Sequence, residues 1–293
     1  MNMLYAYGIT QQGAYHKKEN IVCQDAHCIR KCSDNIVIAA VADGLGSELY
    51  SDIASNIAVE TATKYCAERM LEDLNEEEIL VIMQDAFRLS QQLIEEKARE
   101  NAHELDQYDT TLSLAVLIKN TVYYGHCGDS GIVALTLDGS YEKVTEQQRD
   151  EEGRVFPLYF GDKTWTFGKY PLEVASVLLA TDGMLETLFP IYIREEPISI
   201  YVALARFFMD ADYLQIRECG EEAVCARIEK FLASIDAKQV QDDKTVVVLI
   251  NTEVAPKVRE KEYYEEPNWA ELKRKREEAW KREAYPHLFN RIN

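Results

Sequence analysis

The stretch IVIAAVADGLGS, residues 36–47, opens with an unbroken apolar run and closes on an aspartate followed by glycine. Such a run has no polar residue at alternate positions, so it reads as a strand buried on both faces. Downstream of it the period changes. Ile53, Ile57, Ala58, Ala62 and Tyr65 recur at helical spacing, as do Ile79, Ile82, Met83, Ala86, Leu93 and Ile94, and Asn75 with Glu78 supplies a helix start. Strand patterns return at 111–117, 121–126 and 132–137, with Lys119-Asn120 and Asp138-Gly139 as tight turns. Upstream, residues 4–10 read as a short strand. Residues 175–180 and 245–250 read as further strands, and about 197–210 and 221–235 as helices. Between them, 145–172 carry no period and read as a long surface excursion near whatever site the strands build.

The 293 residues suffice for one catalytic domain, placed at 1–252, with a charged, partly helical tail at 253–293. The tail combines dense charge with three tyrosines and two tryptophans. Asn268 can cap a helix on which Trp269, Leu272, Arg276, Ala279 and Trp280 share one stripe, and that helix either docks on the body or a partner or remains solvated. A net charge of −19 argues against nucleic acid and anionic lipid as partners. The apolar runs are far shorter than a membrane span, so a cytoplasmic location is expected. The seven cysteines form no CxxC pair and read as reduced thiols.

Aspartates recur beside the apolar strands. Asp43 follows IVIAAVA, Asp129 follows TVYYGHCG, Asp182 follows VASVLLAT, and Asp242-Asp243 precede TVVVLI, while Asp25 sits in CQDA. Any one Asp-Gly pair can be a plain hairpin turn, as at Asp138-Gly139. Asp43-Gly44 and Asp182-Gly183 instead follow buried strands and lead toward helices. If such strand ends converge, the gathered carboxylates repel one another and need a cation among them. Hard oxygen donors without histidine or thiolate select Mg²⁺ or Mn²⁺.

In chain order the motifs are CQDA at 23–26, VADGLGS at 41–47, DTTL at 109–112, GDSG at 128–131, ATDGM at 180–184 and DDKTVVVL at 242–249. Over about residues 5–251 this series resembles the metal-dependent protein phosphatases of the PPM family, also called type 2C, and Gln24 before Asp25 is of the bacterial type. The resemblance implies an α+β fold, a central antiparallel β-sandwich flanked by helices on both faces, with metals in a cleft at one end. It implies that Asp43 bridges two metals, that the Gly44 carbonyl binds one of them, and that Asp182 and Asp242 complete the first site. Asp25 would lie in or just outside the coordination shell, and Asp129 would hold a third metal with Asp182. The cofactor would be Mn²⁺ or Mg²⁺, two or three ions. The substrate would be a phosphoprotein, the target of a serine/threonine kinase. A water activated by two ions would then attack phosphorus in line, with no nucleophile from the chain itself.

The sequence departs from the family at several points. Asn20 stands where many relatives carry a phosphate-binding arginine, which leaves Lys17, Lys18 and Asn20 as the phosphate-binding candidates. Leu45 stands where eukaryotic relatives carry a histidine acid, so water would protonate the leaving group. Gly131 replaces an arginine. His16 and His126 are the histidines nearest the motifs. Other phosphatase chemistries lack their signatures: Val41 occupies the place of a dehalogenase-type nucleophile, and the chain has neither a Cys-to-Arg pair six positions apart nor a Gly-Lys-Ser/Thr loop. The rival reading is a catalytically weak phosphatase-like module that acts through partner binding.

Overall fold

The computed structural model describes residues 4–46 and 48–285. Ser47 of the second motif and residues 286–293 of the tail lie outside them. In chain order the elements are β1 (Leu4–Gln11), α1 (Ala14–Glu19), β2 (Asp25–Lys31), β3 (Ile36–Asp43), α2 (Ser51–Ala67), α3 (Glu76–Glu100), β4 (Leu112–Ile118), β5 (Thr121–Cys127), β6 (Gly131–Thr136), β7 (Tyr141–Lys143), β8 (Thr166–Lys169), β9 (Val174–Ala180), α4 (Asp182–Leu188), α5 (Val202–Met209), α6 (Ala211–Leu214), α7 (Ile216–Cys219), α8 (Glu221–Ser234), β10 (Lys244–Asn251) and α9 (Trp269–Ala284).

Two five-stranded antiparallel sheets form, in the orders β1-β10-β9-β6-β7 and β2-β3-β4-β5-β8. The unbroken apolar run of β3 has its cause here. Val37, Ala39 and Val41 point between the sheets, toward Leu179 of β9 and Val247 and Leu249 of β10. Ile36, Ile38, Ala40 and Ala42 point the other way, into a core shared with α2 and α3. β10 alternates likewise, with Val246, Val248 and Ile250 turned outward against Phe208, Val224 and Ile228. The result is a helix–sheet–sheet–helix sandwich, as the resemblance implies.

The helix that begins after Asn75 has both halves of its capping box: the Asn75 side chain accepts from the Glu78 N–H, and the Glu78 carboxylate accepts from the Asn75 N–H. Segment 145–172 is more than a surface excursion. Leu158 and Trp165 are buried on the α3 side, and β8 adds to the sheet edge by pairing with β5. The helix expected over 197–210 is shorter, α5 being confined to Val202–Met209. Among the described residues no helix is long and apolar enough to cross a membrane.

The tail docks on the body. Its Lys257 N–H donates to the Leu137 carbonyl, and Tyr263 and Tyr264 pack against the core outside β6, β9 and β10. Asn268 caps α9 by accepting from the Glu271 N–H. Only part of the expected stripe meets the body: Leu272 is 9% exposed, whereas Trp280 is 58% exposed.

Candidate metal centre

The acidic residues cluster at one end of the sandwich because the strand directions bring them there. β3 and β5 end at that edge, β2 and β10 begin at it, and β9 delivers Asp182 directly into α4. Asp43, Asp129 and Asp182 each place a carboxylate oxygen within 4.8 Å of the others. Asp25 is the cross-strand partner of Asp43 in the β2–β3 ladder. Asp242 stands slightly apart, grouped with His16 and Asp243 within the same 4.8 Å limit, yet close enough for its charge to act on Asp43 and Asp182.

Local backbone chemistry holds this geometry. Asp43 donates its N–H to Thr111 Oγ1 at 2.9 Å, and its carbonyl accepts from Thr110 Oγ1 and the Thr111 N–H. Thr111 Oγ1 also bonds Ser130 Oγ at 3.0 Å, so the DTTL motif ties the Asp43-Gly44 corner to the Asp129-Ser130 corner. Gly44 donates to the Gln24 carbonyl and forms a bridge with Thr110. Gly128 precedes Asp129 at φ 103°, a conformation that side chains resist. At Gly183 a Cβ would sit 2.3 Å from the Asp243 carbonyl oxygen, so only glycine lets the start of α4 lie against the Asp242-Asp243 corner.

The electrostatics are those of crowded, buried like charges. Burial pushes the Asp43 carboxyl well above the usual range, and the charges of Asp25, Asp182, Asp129 and Asp242 push the same way. Asp25 is likewise raised by burial, against the Thr181 hydroxyl, which donates to its Oδ2 at 2.7 Å. Asp182 is pushed up to about 7 by burial and by Asp129 and Asp242. Burial also raises Asp129, opposed by Arg149, whose Nη2 lies 2.6 Å from Asp129 Oδ2 and 3.5 Å from Asp182 Oδ2. These buried and half-buried carboxylates, with one guanidinium among them, suit a hard divalent cation, and among the described residues no thiol or imidazole joins the Asp43 group.

Lys17, Lys18 and Asn20 lie on α1 and its C-terminal cap, all exposed; Lys18 pairs with Glu19, and Asn20 adopts φ 57°. Gln24 turns its amide nitrogen to the Glu48 carbonyl. His126 is locked as a neutral core residue, its Nε2 bonded to the Glu146 carbonyl and its Nδ1 to Ser113 Oγ, and burial lowers its pKa to about 4. Two further residues matter here. Asp243, 2% exposed, accepts from the Gly13 and Gln24 N–H groups at 2.6 and 2.7 Å and lies 3.0 Å from His16 Nδ1, so it pins α1 and the start of β2 to the site. Arg149 comes from the aperiodic segment, and no spacing in the sequence marks it. Its one signal is that the segment was expected beside the site.

The sequence profile described as protein phosphatase 2C matches residues 12–233. None of the curated proteins matches the chain. Among solved structures, the serine/threonine phosphatase Stp1 from Staphylococcus aureus is 16% identical, with TM-score 0.58 over 85% of this chain and 95% of that one. The catalytic domain of the serine threonine protein phosphatase PstP, in complex with two manganese ions, is 17% identical, with TM-score 0.57 over 84% of this chain and 97% of that one. PppA, a key regulatory component of T6SS in Pseudomonas aeruginosa, is 16% identical, with TM-score 0.58 over 84% of this chain and 97% of that one. At these identities the likeness is one of fold.

Proposed function

The chain belongs to the protein phosphatase 2C family, and from that membership we propose that it hydrolyses phosphoserine and phosphothreonine in proteins with two or three Mn²⁺ or Mg²⁺ ions bound. The residues that would hold the ions are Asp25, Asp43, Gly44, Asp129, Asp182 and Asp242. The observation that carries this reading is the convergence of Asp43, Asp129 and Asp182, with Asp25 beside them, in a setting that raises their carboxyl pKa values. The manganese recorded with PstP supports the choice of ion. When bound, the ions supply Lewis acidity that activates water and offsets phosphoryl charge.

The chain itself contributes position. Thr110 and Thr111 hold the Asp43-Gly44 backbone, Thr181 orients the Asp25 carboxylate, and Asp243 anchors the Gly13 and Gln24 amides. Lys17 and Lys18 of α1 and Asn20 at its C-terminal cap, all exposed, would be the groups that meet the phosphate. Arg149 balances part of the carboxylate charge and offers a guanidinium suited to phosphate.

The test is hydrolysis of p-nitrophenyl phosphate and of a phosphothreonine peptide. We expect Mn²⁺-dependent turnover that chelator and Asp43→Asn each abolish. Turnover surviving both would refute the mechanism, and no turnover with either ion would favour the partner-binding module.

A further inference from the structure

A groove of about 1750 Å³ opens at Asp182 and Asp242 and runs outward along α4 and the following segment to the tail. Its far wall is made by Glu266, Trp269 and Lys273 of the tail. That wall is built in. The Tyr201 hydroxyl donates to both Glu266 carboxylate oxygens at 2.7 and 2.6 Å, and its ring meets Trp269 edge-on at 5.1 Å. Arg276 donates to the Ile191 carbonyl at 3.2 Å, and Lys273 Nζ lies 5.4 Å from the centre of the Tyr192 ring. Residues 191–201 therefore sit between α4, whose first residue is Asp182, and the tail helix.

The groove is less acidic than the chain as a whole. Its lining carries Lys143, Arg194, Lys238 and Lys273 against Asp182, Asp242, Glu186 and Glu266 on a protein of net charge −19; with the two aspartates of the metal centre set aside and Lys143 paired with Glu146 at 3.0 Å, Arg194, Lys238 and Lys273 face Glu186 and Glu266. A local excess of basic groups away from the metal-centre aspartates, on an otherwise acidic chain, favours an acidic ligand and steers its approach. An open groove that begins at the carboxylate cluster is shaped for a polypeptide whose modified residue reaches that cluster.

We propose that this groove seats the phosphoprotein segment beside the phosphorylated residue, that it prefers segments with acidic neighbours, and that the tail is a specificity wall of the enzyme. The inference rests on the phosphatase reading above. Exposed Arg194 and Lys273 set the preference without touching the reacting phosphate.

The experiment compares the full chain with an R194E/K273E double variant. Three phosphatase substrates are used, p-nitrophenyl phosphate and two phosphothreonine peptides with acidic or basic flanks, and the binding of both labelled peptides is read separately by fluorescence anisotropy. We expect unchanged p-nitrophenyl phosphate turnover. For the acidic peptide we expect kcat/KM to fall by about tenfold through KM, with a matching loss of binding, and for the basic peptide a gain. Equal use and equal binding of both peptides by the unaltered chain would overturn the proposal, as would a variant that loses all three activities alike. A chain inactive on p-nitrophenyl phosphate that still binds the acidic peptide in preference, and loses that preference in the variant, would refute the phosphatase reading and leave the groove standing.

Discussion

Asp25 and Asp43 face each other directly across the β2–β3 ladder. Like charges in directly opposed positions destabilise a sheet by roughly 0.2–1 kcal/mol, and here both carboxyls are also raised by burial. The arrangement costs stability that a divalent ion would return. Asp25→Asn and Asp43→Asn should therefore each raise the Tm of the metal-free protein by about 1–4 °C while removing the gain in Tm on adding Mn²⁺. Differential scanning calorimetry with and without chelator checks both. Variants that melt below the parent in chelator would contradict the idea of stored repulsion.

The same crowding sets a pH dependence. Asp182 has its folded pKa raised from 3.8 to about 7 by burial and neighbouring aspartates, and Asp109 is raised to about 7 by burial, Glu48 and Asp106. A carboxyl raised in this way holds its proton more firmly when folded, so the unfolded chain binds fewer protons inside the window. The stability it contributes is complete below 3.8 and is lost as pH rises through about 7. Metal-free protein should accordingly melt higher at pH 5 than at pH 8. Mn²⁺ should flatten the part due to Asp182 and leave the part due to Asp109, which Asp109→Asn then removes. A slope of the opposite sign, or one indifferent to both changes, would be inconsistent with these shifts.

What could be read from the sequence followed from how each element is buried. The β3 run was legible because both of its faces are covered, and α3 because its cap and period agree with its packing. β2 was not, since DAHCIRK mixes buried and half-exposed positions without a clean alternation. β8 was hidden for a related reason: TFGK is largely exposed and gains its strand character from pairing with β5. At the site, Asp43, Asp129 and Asp182 announced themselves by following apolar runs, whereas Asp25 and Asp242 lie ahead of theirs and were picked out by the motif series. The resemblance named Asp242 as a ligand, but the anchoring role of Asp243 left no signal, because its partners Gly13, His16 and Gln24 lie more than two hundred residues away in the chain. Arg149 reaches Asp129 and Asp182 from a segment without period, and contacts of that kind leave no local trace.

Arg149 and a metal ion use the same oxygens. The guanidinium, 38% exposed on its side chain, offers Asp129 a charge-assisted hydrogen bond that a cation must displace. Allowing for solvent screening, Arg149→Ala should tighten Mn²⁺ binding by about fivefold in isothermal titration calorimetry. In chelator the same variant should melt below the parent, because Asp129 then loses its ion pair. Weaker metal binding in the variant would mean that Arg149 supports the occupied site instead of competing for it.

The tail is the remaining part whose contribution can be measured. Tyr263 accepts from the Tyr141 N–H at 3.0 Å, Arg259 pairs with Asp138 at 2.8 Å and bonds Ser140, and Arg206 lies 4.3 Å from the Tyr264 ring. These contacts, with buried Leu272, cover apolar surface that would otherwise face water. Burying two aromatic rings of this kind contributes roughly 2–4 kcal/mol. Tyr263→Ala with Tyr264→Ala should then lower Tm by about 5–10 °C, and a chain ending at Asn251 should fall at least as far. Trp280→Ala should change little, its side chain being on the outer half of α9. Should the shortened chain melt where the full one does, the tail would be a passenger on the surface, and the groove it walls would have to be held by the 191–201 segment alone.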